Sequence, residues 1–222
     1  MTASELSLAP DYVGYPEIRR AVGRLLADHP GSAADPVPSC PEWTVLDLLA
    51  HLVEIAERVL VRFGEAVPPE GPREIGALLA RWDSLGATVD GLLAEARGGR
   101  GEILVMDAFT HELDLRGALG VAPPEAHVAW ASSFAVLVRG FSGSAGKLEL
   151  PALKISTTGG EWLTGEDPVA TVSAEPHDLY RSFAGRRSPD QISALTWSGD
   201  PAPWLPAFTW GPFVPPAEPV EA

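Results

Sequence analysis

The stretch that decides the fold of the first half of the chain is residues 41–63, PEWTVLDLLAHLVEIAERVLVRF. Apolar residues recur in it at the three- and four-residue intervals that bury one face of a helix. Thr44 precedes this pattern and Asp47 stands three positions later, an arrangement that resembles a capping box. The stretch therefore predicts a helix that starts near Thr44 and runs to Gly64.

The same periodicity predicts further helices on both sides of this one. They are expected at residues 16–29, 73–97 and 102–119, and from Pro124 to about Gly140. Gly120 is predicted to end the helix that precedes it in the left-handed conformation. Residues 140–147, GFSGSAGK, are rich in glycine and serine, which is typical of a linker.

Beyond this segment the pattern changes to the two-residue alternation of strands. Leu153, Ile155 and Thr157 alternate as in a half-buried strand, and Gly159-Gly160 predicts a hairpin turn with residues 161–164 returning. Further strands are expected at residues 169–173 and 195–197, and short helices at 177–184 and from Ser188. The tail is expected to be extended, with its aromatic residues packed. The sequence thus predicts an α+β protein with a helical bundle over residues 1–142 and a small α+β domain over residues 147–222.

Composition excludes several classes of function. The formal net charge is -14, whereas a nucleic-acid-binding protein needs a basic surface. The chain holds one cysteine, so neither an intramolecular disulfide nor a cysteine-rich zinc site is possible. Neither a signal peptide nor a membrane-spanning apolar stretch is expected, which makes the cytoplasm the expected location. Nucleotide-binding and serine-hydrolase motifs are absent.

Three residues on two predicted helices could bind a metal ion. Asp107 and His111 are four positions apart, so both side chains lie on one face of their helix. His51 stands among apolar residues on another helix, where an imidazole needs a polar partner. A metal ion would satisfy all three. The alternatives are a hydrogen-bonded core histidine for His51 and an ordinary surface contact for the Asp107–His111 pair.

The other polar residues of interest have weaker signals. Asp114 could orient His111 as a supporting carboxylate, but a solvated helix face is the favoured interpretation for it and for Glu112. His29 and His127 are expected at the surface, and His177 at the start of a helix.

Arg186 and Arg187 form an adjacent basic pair in the C-terminal part of the chain. They could bind a substrate carboxylate, although a solvated turn is the favoured interpretation. Cys40 is interpreted as a small buried thiol.

Two stretches resemble signatures of the mycothiol-dependent maleylpyruvate isomerase family. Residues 40–52, CPEWTVLDLLAHL, are similar to its opening signature, and residues 107–120, DAFTHELDLRGALG, to its second. The resemblance implies a DinB-like up-down four-helix bundle for residues 1–142. Residues 178–188 are similar to part of a sterol carrier protein-like domain, which the resemblance implies for residues 147–222.

In that isomerase two histidines and a glutamate hold a zinc ion. The resemblance carries both the metal-binding and the catalytic roles to His51, Asp107 and His111, with Asp107 standing where the isomerase has glutamate. Three protein ligands leave one position open for a thiol, which the metal stabilises as a thiolate.

The function that this resemblance implies is a zinc- and mycothiol-dependent isomerase or S-transferase. Its partners would be a small organic acid or electrophile and a low-molecular-weight thiol, in a monomer or homodimer. One alternative is a non-catalytic protein that binds a metal or a small molecule, with a sterol carrier-like pocket. Another is metal-assisted hydrolysis by bound water.

Overall fold

The computed structural model of the chain describes residues 11–95 and 101–221. In these residues helices dominate the first two thirds, and a four-stranded sheet lies in the last third. The helices are α1 Asp11–Asp28, α2 Val45–Arg62, α3 Ile75–Glu95, α4 Gly101–Ala118, α5 Trp130–Lys147, α6 Pro176–Phe183 and α7 Pro189–Ser193. The strands are β1 Leu153–Thr157, β2 Gly160–Leu163, β3 Ala170–Ser173 and β4 Thr196–Trp197. The predicted α+β class is confirmed.

The chain folds as two compact units, one within Leu8–Ser133 and the other within Phe134–Ala222. In the first unit α1 packs against α3 and α4, and α2 packs against the same two helices. Its core is built from large apolar side chains that all four helices contribute. They include Ile18, Leu48, Leu49, Trp82 and Phe109.

The start of α2 is fixed by the capping box expected from the sequence. The Asp47 backbone N–H donates to Thr44 Oγ1 at 3.2 Å, and the Thr44 backbone N–H donates to Asp47 Oδ2 at 2.9 Å. These bonds satisfy donors that a helix start leaves without an intrahelical partner. The third helix begins at Ile75, and its predicted end at Arg97 lies outside the described residues.

The predicted start of the first helix at Pro16 is wrong, because α1 begins at Asp11. Proline at the sixth helical position removes one intrahelical hydrogen bond. Burial on both sides of it offsets this loss: Tyr15 is 1% exposed and Ile18 is fully buried. A β-carbon added at Gly14 would lie 3.1 Å from Val105 Cγ1, so α1 and α4 approach closely there.

The predicted linker at residues 140–147 is also wrong, because α5 continues through it to Lys147. Phe141 and Ala145, one turn apart, are both buried and give this segment an apolar stripe. Gly140 is needed for packing, since the Trp210 ring lies directly over the place that a β-carbon would occupy. Gly143 faces open space.

The strand order in the second unit is β2-β1-β3-β4. The expected hairpin is confirmed: β1 pairs with β2 antiparallel, with Thr157 opposite Gly160. β1 pairs with β3 in parallel, and β3 with β4 antiparallel. Leu153 and Ile155 are buried while the residues between and after them are half-buried, so one face of the sheet packs on a core.

The end of the chain packs as expected, although it is not simply extended. Trp204 and Phe213 are 4% and 7% exposed, and a short 3-10 helix spans Leu205–Phe208. The predicted helix start at Ser188 is confirmed by a second capping box, with Gln191 as the reciprocal partner. None of the helices in the described ranges is both long and apolar enough to cross a membrane.

Candidate metal centre

α2 brings His51 to the side of the bundle that faces α4. Its imidazole is half-buried and lies between two rings, with its centroid 4.9 Å from that of Trp43 and 4.9 Å from that of His111. The His51 and His111 rings meet edge to face at 74°. Histidine on α2 and histidine on α4 therefore face each other, as the metal-site hypothesis requires.

α4 supplies the other two predicted residues from one of its faces. His111 Nε2 lies 3.9 Å from Asp107 Oδ1, one helical turn away. One ligand atom each of His51, Asp107 and His111 lies within 4.8 Å of the other two. The structure thus brings together all three residues that the sequence singled out.

Asp114 holds the His111 ring in a defined orientation. His111 Nδ1 donates to Asp114 Oδ2 at 2.9 Å, so Nε2 is the nitrogen that faces Asp107. Asp114 in turn accepts from Ser39 Oγ at 2.9 Å and from Cys40 Sγ at 3.8 Å. A carboxylate behind the imidazole is the usual support for a histidine ligand, because it fixes the tautomer and raises the basicity.

The favoured interpretation of Asp114 and Glu112 as a solvated helix face is wrong. Their side chains are both fully buried, because α4 is surrounded on nearly all sides. Glu112 Oε1 accepts from Arg116 Nε at 2.9 Å. His127 was expected at the surface, yet its side chain is only 6% exposed, with Nε2 3.4 Å from Glu112 Oε2. Glu112, Arg116 and His127 therefore form a largely buried polar cluster of their own.

Asp107 has an unused oxygen atom. Its Oδ2 is buried and has no hydrogen-bond partner in the described part of the chain, although the side chain as a whole is 33% exposed. Ligands of one tetrahedral zinc ion lie about 3.4 Å apart, given bonds of roughly 2.1 Å. The 3.9 Å between Asp107 Oδ1 and His111 Nε2 is close to this value. A small rotation of the Asp107 side chain would close the gap, so the donor set fits a divalent metal.

The electrostatics of the two histidines differ. Burial lowers the pKa of His111, but its hydrogen bonds to Asp114 and Cys40 and the charges of Asp114 and Asp107 outweigh burial and raise the pKa to about 9. Burial and the nearby His111 lower the pKa of His51. A metal would therefore compete with a proton at His111 and find His51 already neutral.

Sequence reasoning missed part of this site. Trp43 lies 5.7 Å from the His111 ring, between centroids, and so flanks both imidazoles. Cys40, interpreted as a buried thiol, is partly exposed and forms with His111 and Asp114 a second group that could hold a metal. Ser39, Cys40 and Trp43 all precede the predicted helix cap. Because they directly precede the helix that carries His51, the sequence could have indicated that they lie near the site.

The remaining candidates lie apart from these residues in sequence. His29 is half-buried, and its Nδ1 lies 2.8 Å from the Leu25 carbonyl oxygen. His177 is the second residue of α6, as expected. Burial, with the charges of Arg181 and Arg187, lowers the pKa of His177 to about 4.

The solvated-turn interpretation is wrong for Arg187. Its side chain is 6% exposed and pairs with Asp178 at 3.3 Å and with Glu221 at 3.0 Å. Arg186 donates from one guanidinium nitrogen to the Ala184 carbonyl at 2.7 Å. Two carboxylates of the chain itself therefore occupy the Arg187 guanidinium.

The sequence model of one known family matches residues 15–141, more than half of the chain. Its description is mycothiol maleylpyruvate isomerase N-terminal domain. The chain belongs to this family. Neither the curated proteins nor the solved structures include a significant match. His51, Asp107, His111 and Asp114 all lie in the matched range, so the family domain contains the whole candidate metal centre.

Proposed function

We propose that His51, Asp107 and His111 hold one divalent metal ion, zinc by preference, and leave a coordination position open. The observation that carries this proposal is the convergence of two imidazoles and one carboxylate within 4.8 Å. Two further features support it: the unused Asp107 Oδ2 and the carboxylate of Asp114 behind His111. Nitrogen and oxygen donors of this kind suit zinc in an open catalytic site.

We further propose that the site activates a low-molecular-weight thiol, with mycothiol as the cosubstrate that the family description suggests. A bound divalent metal supplies charge that lowers the pKa of a thiol, so that thiolate forms at neutral pH. The thiolate adds to a small unsaturated acid or another electrophile. The addition forms a C–S bond and moves the electron pair of the double bond onto the acid as an enolate. If the enolate expels the thiolate after rotation about the resulting single bond, the outcome is isomerisation; if it takes up a proton from solvent, the thioether remains and the outcome is S-transfer.

The residues of the chain have separate tasks in this proposal. Asp114 keeps His111 Nε2 turned toward the metal position. The Trp43 ring flanks His51 and His111 and limits their movement. The Asp107 side chain is 33% exposed, against 9% for that of His111, so Asp107 marks the side of this pair that is open to substrate.

Elemental analysis of the purified protein tests the metal site. We expect about one zinc or similar ion per chain, lost in His51→Ala and in His111→Ala. His29→Ala is the matched control, since the His29 ring bonds to the Leu25 carbonyl oxygen at the end of α1 and should not affect metal content. Full metal content in both site variants would refute the site.

Asp107→Glu and Asp107→Ala test the role of the carboxylate. Glutamate restores an oxygen ligand, so its variant should keep more metal than the alanine variant. Equal loss in the two would contradict ligation by Asp107, because alanine removes the carboxylate and glutamate only lengthens its reach.

Consumption of mycothiol in the presence of a candidate electrophile tests the chemistry. Activity should disappear with a chelator and return with zinc. A protein that holds metal stoichiometrically but turns over no thiol would instead fit the non-catalytic alternative. Activity that needs metal but no thiol would indicate hydrolysis.

A further inference from the structure

Three side chains with different ligand atoms meet at the edge of the His111 ring that is turned away from Asp107. Cys40 Sγ lies 3.8 Å from Asp114 Oδ2, and His111 Nδ1 lies 2.9 Å from the same oxygen. One ligand atom of each of these three residues lies within 4.8 Å of the other two. Around one tetrahedral zinc ion, sulfur and oxygen ligands are about 3.6 Å apart, and nitrogen and oxygen ligands about 3.4 Å. Small rotations of the side chains would therefore allow one ion to bind all three.

The turn before α2 holds Cys40 in place. The Cys40 backbone N–H donates to the Val37 carbonyl at 2.9 Å, and the Trp43 backbone N–H donates to the Cys40 carbonyl at 2.8 Å. The Cys40 side chain is partly exposed, so an ion can reach the thiol from solvent. Ser39 Oγ donates to the other oxygen of Asp114, Oδ1, at 2.9 Å, and so orients the carboxylate without occupying Oδ2.

The ligand atoms of this group favour a soft divalent cation. A thiolate selects softer metal ions than do the nitrogen and oxygen ligands of the first centre, which His51, Asp107 and His111 form. The side chains of His111 and Asp114 are only 9% and 0% exposed, so an ion bound here is largely buried. Burying a charge is costly unless it is neutralised. The Cys40 thiolate and the Asp114 carboxylate together balance the two positive charges of the ion.

His111 belongs to both groups and couples them. Its Nε2 faces Asp107, and its Nδ1 faces Asp114. In a neutral imidazole one nitrogen has a free lone pair and the other carries the proton. When Nδ1 binds a metal ion, Nε2 therefore carries the proton and is no longer a ligand for the first centre. Binding at one edge of the ring thus excludes binding at the other.

We propose that Cys40, Asp114 and Nδ1 of His111 form a second metal position, selective for a soft divalent cation such as Cd²⁺, and that its occupation expels the ion from the first centre. The thiol proton of Cys40 is replaced by a metal–sulfur bond and passes to solvent. The proton of His111 moves from Nδ1 to Nε2 as the first ion leaves. The exclusion rests on the proposed function, whereas the second position itself does not.

Cadmium titration of the metal-free, full-length protein tests the second position, with the ultraviolet absorption band of the cadmium–thiolate bond as the readout. Cys40 is the one cysteine of the chain, so the band reports on this residue alone. We expect the band to saturate at about one cadmium ion per chain and to be absent in Cys40→Ser. Circular dichroism checks that the variant keeps its helices. A parental band no larger than that of Cys40→Ser would overturn the proposal.

His51→Ala separates the second position from the first centre. This variant lacks a ligand of the first centre and keeps every ligand of the second position, so cadmium should still produce the full band with at least the parental affinity. Asp107→Ala should behave in the same way. Loss of the band in both variants would show that Cys40 is only an additional ligand of the first centre, and the second position would be refuted.

Zinc retention tests the exclusion. Zinc-loaded protein is mixed with increasing amounts of cadmium, desalted and analysed for both metals. Zinc should leave in proportion to the growth of the thiolate band, and Cys40→Ser should need at least about tenfold more cadmium to lose its zinc. Zinc retained beside a full band, or equal loss in Cys40→Ser, would overturn the exclusion. If the protein binds no zinc, the first centre fails, while the cadmium band still decides the second position.

Discussion

Replacing Asp114 by asparagine tests the proposed metal centre at a residue that would not touch the metal. Asp114 accepts at 2.9 Å from His111 Nδ1 and at 2.9 Å from Ser39 Oγ. Asparagine keeps one acceptor oxygen for His111, and the Ser39 hydroxyl can turn to accept from the new amide group. The substitution therefore keeps the orientation of His111 and removes the charge behind it. Loss of such a supporting group costs about 10- to 100-fold in metal affinity.

We expect Asp114→Asn near the lower end of this range, a tenfold loss worth about 1.4 kcal/mol. Asp114→Ala also releases the His111 ring, so a loss near 100-fold is expected. Affinity is measured by competition with a chelator at about pH 9, the pKa of His111. At lower pH a proton competes with the metal, and the lower pKa of His111 in the variant would hide part of the loss.

Glu112→Gln is the matched control. It also removes a buried negative charge from α4, but that carboxylate bonds to Arg116 at 2.9 Å rather than to His111. The control should lose stability, because it leaves the half-buried Arg116 without its anion, and should keep its metal affinity within about threefold. Parental affinity in Asp114→Asn, or equal loss in Glu112→Gln, would refute the supporting role.

Three further predictions concern stability. Gly140→Ala should lower the free energy of unfolding by about 1–3 kcal/mol, because the added methyl group meets the Trp210 ring. Gly143→Ala should raise it by up to about 1 kcal/mol, because position 143 faces open space and alanine favours the helix. Thermal or urea unfolding that ranks the two variants in the opposite order would contradict the packing of α5. His177, with its pKa lowered to about 4, binds its proton more weakly in the folded chain, so stability present above about pH 6.5 is lost as the pH falls toward 4. Between pH 7 and pH 5 that loss is at most about 2 kcal/mol. Urea unfolding at several pH values should show a smaller loss of stability in His177→Gln than in the parental protein. The same pH dependence in both proteins would show that His177 is not responsible for it. Thr44→Ala removes the capping box of α2 and should lower the unfolding free energy by about 1 kcal/mol, while an unchanged value would show that the cap is dispensable.

Structural features that depend on a few neighbouring residues were predictable from the sequence. The capping box at Thr44, the hairpin at Gly159-Gly160 and the helix start at Ser188 each depend on a few adjacent residues. The spacing of Asp107 and His111 likewise placed two side chains on one helical face. In each case the information needed lies within one helical turn or one strand pair.

The wrong predictions concern segments whose burial or secondary structure is determined by tertiary contacts. The periodicity of apolar residues predicts a helix with one solvent-exposed face. α4 is instead buried on nearly all sides, and Arg116 donates a hydrogen bond to the buried Glu112. Composition alone marked residues 140–147 as a linker. Only the Trp210 ring, some 70 positions away in the sequence, explains why glycine stands at position 140 in the middle of a helix.

α4 shows why the site could be only half predicted. It presents Asp107 and His111 toward His51, and it buries the carboxyl groups of Asp114 and Glu112 within the same four-helix core. Buried carboxylates are costly unless each has donors. The donors of Asp114 are His111, Ser39 and Cys40, so the groups that make its burial tolerable are also the groups that fix His111. Positioning of the proposed ligand and stability of the core thus depend on the same hydrogen bonds. These hydrogen bonds link residues before α2 to residues of α4 that are more than 70 positions away in the sequence, so no local sequence pattern could predict them.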